Sequence, residues 1–141
     1  MQYIKTTANE IKLKYEGAGD FELIWEYIGE NRTHGDCYLD DSQYAWFEVI
    51  DEVLVGLFCI TENKFLANSL HMSVLEVPKH MRKSGYGEKI IETLKNYAKE
   101  LGLLSVTLQT HNPSLITYYQ KFGFSESKVQ DCLIMRCFLC F

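Results

Sequence analysis

Val77-Pro78-Lys79-His80-Met81-Arg82-Lys83-Ser84-Gly85-Tyr86-Gly87 is the stretch whose reading decides the fold. An apolar run carrying Leu75 and Val77 leads into it and stops at Pro78, whose missing N–H breaks a strand ladder. Beyond Gly87, the residues Ile90, Ile91, Leu94, Tyr97, Ala98 and Leu101 recur at steps of three and four. That spacing predicts a helix that begins inside the loop, runs from Glu88 to Leu101 and is stopped by Gly102. A strand, a basic glycine-punctuated loop and a helix N-terminus, in that order, make an anion site. The first-turn N–H groups lack partners within the helix and carry the positive end of its dipole. Gly85 and Gly87 let the backbone approach a phosphate, and Arg82 and Lys83 add charge.

Several phosphate loops share this logic. A P-loop needs G-x-x-x-x-G-K-[S/T], which does not occur, and a dinucleotide fingerprint needs a third glycine where Ile90 stands. What remains is Arg82-x-x-Gly85-x-Gly87 behind a strand ending in Val77. It resembles the acyl-CoA pyrophosphate loop of the GNAT family of N-acetyltransferases. A second segment, from Asn112-Pro113 through Tyr119-Gln120-Lys121-Phe122-Gly123-Phe124, resembles that family's N…Y-x-K-x-G-F helix. The two stand in the family's order, 25 residues apart from Gly87 to Asn112. The close resemblance covers residues 65–141, and the N-terminal half matches loosely.

The resemblance implies an α/β fold: a mixed, mostly antiparallel central sheet flanked by helices, splaying near Val77 to admit pantetheine. It also implies acetyl-CoA as co-substrate and transfer of the acetyl group to a primary amine by direct attack. The amine would belong to a small molecule or a peptide. Backbone N–H groups across Arg82, Lys83, Ser84, Gly85, Tyr86 and Gly87 would face the pyrophosphate. The Val77 backbone would pair with pantetheine. Asn112 either bonds the pantetheine arm or caps its own helix, since one side-chain oxygen cannot serve both freely. Tyr119 matches the family tyrosine that protonates the departing thiolate, and its ring is equally suited to packing the helix on the sheet. His71 lies on the strand entering the loop, 11 positions before Arg82. There it resembles the place where the histone-acetylating branch carries its glutamate base.

An alkylamine with a pKa near 10.4 costs about 4.6 kcal/mol to deprotonate at neutral pH, so a base near pKa 7 is well matched. That favours histidine, with a satisfied core histidine as the competing role of His71. Glu76, Glu48 and His111 are the other candidate bases. Glu76 has the opposite strand parity to His71, so the two should not face one cleft. Gln109 stands roughly where some relatives carry a glutamate, and an amide cannot take a proton. Trp25, Tyr27, Tyr38 and Trp46 either shape an acceptor pocket or, as their ordinary role, pack the core. A non-catalytic acyl-CoA-binding or partner-binding module on the same scaffold is the alternative function, and a nucleotide-binding protein is a weaker third.

At 141 residues the chain is expected to form a single domain, residues 1–141, with 47% hydrophobic and 23% charged residues as in ordinary globular proteins. No apolar run approaches the roughly 18 residues of a membrane span, and the first residues carry no signal-like stretch. A cytoplasmic protein is expected, with no membrane partner. The net charge of −5 is unevenly spread: residues 1–77 hold 5 basic and 14 acidic residues, whereas residues 78–141 hold 9 and 5. The basic half contains both cofactor motifs, and the acidic half would draw a cationic amine. No aromatic-interleaved basic stripe suggests nucleic acid. Five cysteines fit free thiols, and Cys132, Cys137 and Cys140 read as strand residues rather than cluster ligands, so no metal is expected. Exposed final strands could pair two copies as a homodimer.

Along the chain, Tyr3–Lys5 and the alternating Ile11, Leu13 and Tyr15 predict strands. Asp20 predicts the N-cap of a helix over Phe21–Ile28, giving one helix where the family usually has two. Residues 29–42 form a polar loop. Tyr44–Ile50, Val53–Ile60 and Phe65–Val77 predict an antiparallel meander. Leu104–Gln109 predicts a parallel strand after the helical crossover. A helix opened by Asn112 and Pro113 follows, then a terminal hairpin of residues 124–129 and 131–141.

Overall fold

The computed structural model describes residues 1–29, 32, 36–110 and 112–139. Its strands are β1 (Gln2–Thr6), β2 (Ala45–Asp51), β3 (Val53–Glu62), β4 (Ser69–Glu76), β5 (Ser105–Leu108), β6 (Ser125–Val129) and β7 (Cys132–Phe138). The helices are α1 (Ala8–Tyr15), α2 (Leu23–Ile28), α3 (Tyr86–Glu100) and α4 (Pro113–Gln120). The strands form one mixed sheet in the order β1-β2-β3-β4-β5-β7-β6, all neighbours with registered pairs being antiparallel except β4 and β5, which are parallel. No helix among the described residues is long and apolar enough to cross a membrane. The chain divides into two compact units, residues 1–60 with 74–90 and residues 61–73 with 91–141.

In the first unit, the expected strand at Ile11–Tyr15 is instead helix α1, which corrects the helix count. Thr7 is the N-cap, its Oγ1 accepting from the Glu10 N–H at 3.2 Å. Ala8 and Ile11, one helical step apart, are fully buried, while Leu13 is 88% exposed. A strand would have put Ile11 and Leu13 on one face; the helix buries one and releases the other. Two helices, α1 and α2, therefore lie between β1 and β2 in chain order, as the family resemblance requires. Ile11, Ile24, Ile28, Trp46, Leu57 and Val74 form the buried centre of this unit, with Trp25, Tyr27 and Tyr38 packed against it. The aromatic candidates are thus core or core-flanking. Trp46 satisfies its indole by donating Nε1–H to the Tyr38 carbonyl at 3.0 Å.

At Gly56 of β3 the sheet and α3 approach closely. A Cβ at that position would stand 2.4 Å from Ile90 Cδ1 and 3.5 Å from the Glu76 carbonyl oxygen. The missing side chain lets the first turns of α3 settle on β3 and the end of β4.

In the second unit, β5 runs parallel to β4 from Ser69↔Ser105 to Met72↔Leu108, as the helical crossover predicts. Ile91, Leu94 and Ala98 of α3 are buried, at the spacing read from the sequence. β6 and β7 make the expected hairpin, closed at Val129↔Cys132 by Gln130 (φ 51°) and Asp131 (φ 65°). Positive φ at both turn residues matches the twist of the flanking strands. Cys132 is half-buried and Cys137 buried in β7, while Cys140 lies outside the described residues.

Candidate functional site

β4 continues to Glu76, but its last partner on β5 is Met72. Residues 73–76 therefore run beyond the parallel ladder towards the loop. Pro78 ends the strand direction, Lys79–Met81 forms one 3-10 turn, and Arg82 to Gly85 lead into α3. Two loop residues adopt left-handed backbone, Lys83 (φ 67°) and Gly85 (φ 83°). At Gly85 a Cβ would meet nothing within 4 Å, so the glycine answers to conformation and not to space. The Gly85 carbonyl accepts the Lys89 N–H at 3.3 Å, closing the first turn of α3. The N–H groups of Tyr86, Gly87 and Glu88 consequently have no carbonyl behind them in the helix, and they form its positive end. Arg82, Lys83, Ser84 and Gly85 are exposed, and Tyr86 and Gly87 half-buried.

Arg82 is already engaged. Its Nε–H donates to the Val77 carbonyl at 3.1 Å, and Nη2 donates to Glu76 Oε1 at 3.4 Å. Glu76 itself is 5% exposed, and its carboxylate accepts three backbone N–H groups: Glu22 at 2.6 Å, Leu23 at 3.1 Å and Ile24 at 3.1 Å. These are the first amides of α2, whose N-cap residue Glu22 makes no side-chain cap of its own. Asp20 is therefore not the cap expected from the sequence. A carboxylate 52 to 54 residues downstream in sequence does that work. Burial raises the Glu76 pKa, and the three N–H groups and Arg82 partly offset that. Asp20 instead holds the loop: its carbonyl accepts the Lys79 N–H at 3.1 Å, and its carboxylate meets His80 Nδ1 at 3.1 Å. Lys79 also pairs with Glu22.

Glu48, another candidate base, is buried and accepts from Lys14 Nζ at 3.1 and 3.3 Å and from the Tyr15 hydroxyl. Burial and this carboxylate push the Tyr15 phenol upward. His111 lies outside the described residues.

In the second unit, His71 is 3% exposed, its Nδ1 lies 2.9 Å from Thr107 Oγ1, and its ring meets the edge of Phe65. Burial, with a smaller contribution from Lys64, lowers its pKa to about 3. The imidazole is accordingly neutral throughout the physiological range. Asn112 caps α4, its Oδ1 accepting the Ser114 N–H at 3.0 Å. That oxygen is committed to the cap, leaving the amide N–H groups for any ligand. Tyr119 is buried in the last turn of α4. The Phe124 N–H donates to the Tyr119 carbonyl and Gly123 (φ 90°) donates to Gln120, and the Phe124 and Tyr119 rings meet edge-on at 5.8 Å. This paired C-terminal motif with its ring contact holds the tyrosine in place. Burial raises the Tyr119 pKa to about 12, so the phenol keeps its proton.

The loop stands between β4 and α3 and the Asn112-Pro113 pair opens α4, as the sequence predicts; α3 begins two residues before Glu88, and Glu76 as the cap of α2 is not legible in the sequence. The one available signal was an acidic residue at the end of an apolar strand.

Residues 7–124 match the family described as "Acetyltransferase (GNAT) family". Among curated proteins, the chain is 28% identical over 93 residues to "Probable N-acetyltransferase camello" of Xenopus laevis, a match covering 64% of this chain. It spans 42% of that relative's length. Among solved structures, a GNAT-family protein from Desulfovibrio desulfuricans superposes with a TM-score of 0.68 at 16% identity, covering 99% of both chains. The PaiA N-acetyltransferase of Thermoplasma acidophilum, solved in complex with coenzyme A, gives 0.64 at 15% identity over 97% of this chain and 98% of its own. At these identities the superpositions show the shared fold.

Proposed function

The chain belongs to the acetyltransferase (GNAT) family, and from that premise we propose that it moves an acetyl group from acetyl-CoA to a primary amine. The observation that carries this reading is the start of α3: N–H groups at Tyr86, Gly87 and Glu88 with no partner within the helix, the left-handed Lys83 and Gly85, and a cluster of exposed cations. Such a cradle suits the diphosphate of CoA. Pantetheine would pair with β4 near Val77, and the amine would attack the thioester carbonyl directly. The acceptor is a small molecule or a peptide, and the −9 balance of residues 1–77 favours a cationic one.

His71 was the expected base. Moving a proton from an ammonium near pKa 10.4 to a group at about 3 is uphill by about 10 kcal/mol. We therefore assign His71 the role of a neutral hydrogen-bonding group, with the amine losing its proton to solvent before attack. Tyr119, at about 12, holds a proton but gives it reluctantly to a thiolate of ordinary pKa near 8.5. Its part is to stabilise the leaving sulfur by a hydrogen bond, and Tyr119→Phe should lower kcat about 5- to 50-fold with little change in CoA affinity. A drop in affinity without one in kcat would remove Tyr119 from the chemistry.

The engagement of Glu76 and Glu48 and the low pKa of His71 favour one second reading, a non-catalytic acyl-CoA-binding module. Both readings require CoA binding; only the enzyme turns over. Thiol release from acetyl-CoA, followed across a panel of alkylamines, polyamines and lysine peptides, separates them. Release that depends on an amine supports the transferase. Tight CoA binding with no release for any amine supports the module, and no heat with CoA in calorimetry rejects both.

A further inference from the structure

The end of β4 carries more than the cofactor loop. Within 76–82, four groups reach residues 20–24: Glu76 to the amides of Glu22, Leu23 and Ile24, the Lys79 amide to the Asp20 carbonyl, His80 to the Asp20 carboxylate, and the Lys79 ammonium to Glu22. Three of these lie at exposed side chains or the loop backbone and contribute little individually. Glu76 differs because it is buried and anionic, and because it holds both sides at once. One carboxylate takes the three opening N–H groups of α2 and the guanidinium of Arg82. Arg82, in turn, is fixed to the Val77 carbonyl, so the loop's cation and the residue where the strand ends share one hydrogen-bonded chain with α2.

The contact to Arg82 is the longest of the four, at 3.4 Å against 2.6 to 3.1 Å for the amides. A diphosphate arriving at the loop competes with Glu76 for that guanidinium, bringing more negative charge and room for shorter, bidentate contacts. As Arg82 turns to the anion, Glu76 Oε1 keeps its lone pairs for Glu22 and Leu23. The loop and the start of α2 then change together. Because the N-cap residue of α2 makes no side-chain cap, the opening N–H groups rely on this carboxylate.

We propose that Glu76 is a positioning residue that couples occupancy of the cofactor loop to the order of the first turn of α2, so that CoA binding tightens this helix in the acidic, acceptor-favouring half of the chain. This inference rests on the CoA reading of the loop. It makes cofactor binding prepare the chain for the amine, which predicts that the amine binds more tightly after CoA than before it.

Hydrogen exchange of the full-length protein with and without saturating CoA tests the coupling, with saturation set by calorimetry on each variant. In the native chain, CoA should slow exchange of the Glu22, Leu23 and Ile24 amides at least about threefold. In Glu76→Gln, CoA should still bind, and the slowing at these three amides should vanish. Arg82→Ala, measured at its own saturating CoA concentration, should lose the slowing too, and it serves if the Gln variant fails to fold. A merely structural cap would loosen α2 in Glu76→Gln equally with and without CoA. Native amides that ignore bound CoA, or a response that survives in Arg82→Ala, would overturn the coupling while leaving the CoA site intact. A native protein that binds no CoA overturns the coupling together with the reading beneath it.

Discussion

Acidification should destabilise this protein through His71, and the size of the effect follows from its burial. The imidazole is 3% exposed and bonded to Thr107, with its pKa lowered from 6.5 to about 3. In the unfolded chain it returns to its ordinary value. Between these two values the unfolded state binds one more proton, so stability is lost as pH falls below about 6.5, until the folded pKa is reached. The slope grows towards 1.36 kcal/mol per pH unit below 6.5, so going from pH 8 to 5 costs about 2 kcal/mol from this residue alone. Stopping at pH 5 keeps ordinary carboxylates, near pKa 4, largely out of the comparison. Urea unfolding at half-unit steps from pH 8 to 5, on the native chain and on His71→Gln, isolates the term. Gln keeps a side-chain amide for Thr107 and cannot titrate. The native chain should lose about 2 kcal/mol more than the variant over this window. Equal slopes for the two proteins, or an NMR midpoint for His71 near 6.5, would refute both the burial argument and the neutral role given to this imidazole. The same chemistry reaches the kinetics: with no base near pKa 7, kcat/KM should climb about tenfold per pH unit from 6 to 8 without a plateau.

Asn112→Ala should lose about 1 kcal/mol with the α4 cap, whereas Asn112→Ser restores the cap without the amide; a CoA affinity that falls equally in both, by calorimetry, marks a cofactor contact, and one that recovers in Ser marks capping alone. Gly56→Ala sets a methyl against Ile90 Cδ1 and should cost about 1 kcal/mol, and Ile90→Val alone about 0.5–1.5 kcal/mol. The double variant removes the clashing atom and should cost much less than the sum, a coupling of about 1 kcal/mol or more, and additive chemical denaturation would contradict the proposed close approach. Ser73 Oγ is buried with no hydrogen-bond partner among the described residues. Ser73→Ala should therefore raise Tm, and a lower Tm would mean that the hydroxyl has a partner in solution.

Much of the chain was legible because its signals are local. Arg82 to Gly87, the apolar face of α3, the Asn112-Pro113 helix start and the terminal hairpin each depend on residues a few positions apart, where backbone preference and helical or strand period act directly. The parallel placement of β5 followed from the helical crossover and the handedness that it imposes. Two features escaped. Ile11, Leu13 and Tyr15 fit a two-residue period over five positions, a window too short to distinguish strand from helix. Burial of Ala8 and Ile11 with exposure of Leu13 decided for the helix. The cap of α2 comes from Glu76, far along the chain, and no local pattern announces a partner at that distance.

From the amino-acid sequence alone came the family, the glycine-punctuated loop before α3 and the place of most strands and helices, since hydrogen-bond geometry and side-chain periodicity are properties of neighbours. Only the tertiary structure decided which ionisable groups are free to act. Burial against Phe65 and Thr107 sets the proton affinity of His71, and the amides of α2 with Arg82 claim the carboxylate of Glu76. A pKa and a hydrogen-bond partner are set by what the folded chain brings within a few ångströms, and Thr107 beside His71 and the α2 amides on Glu76 lie more than 30 positions away in sequence.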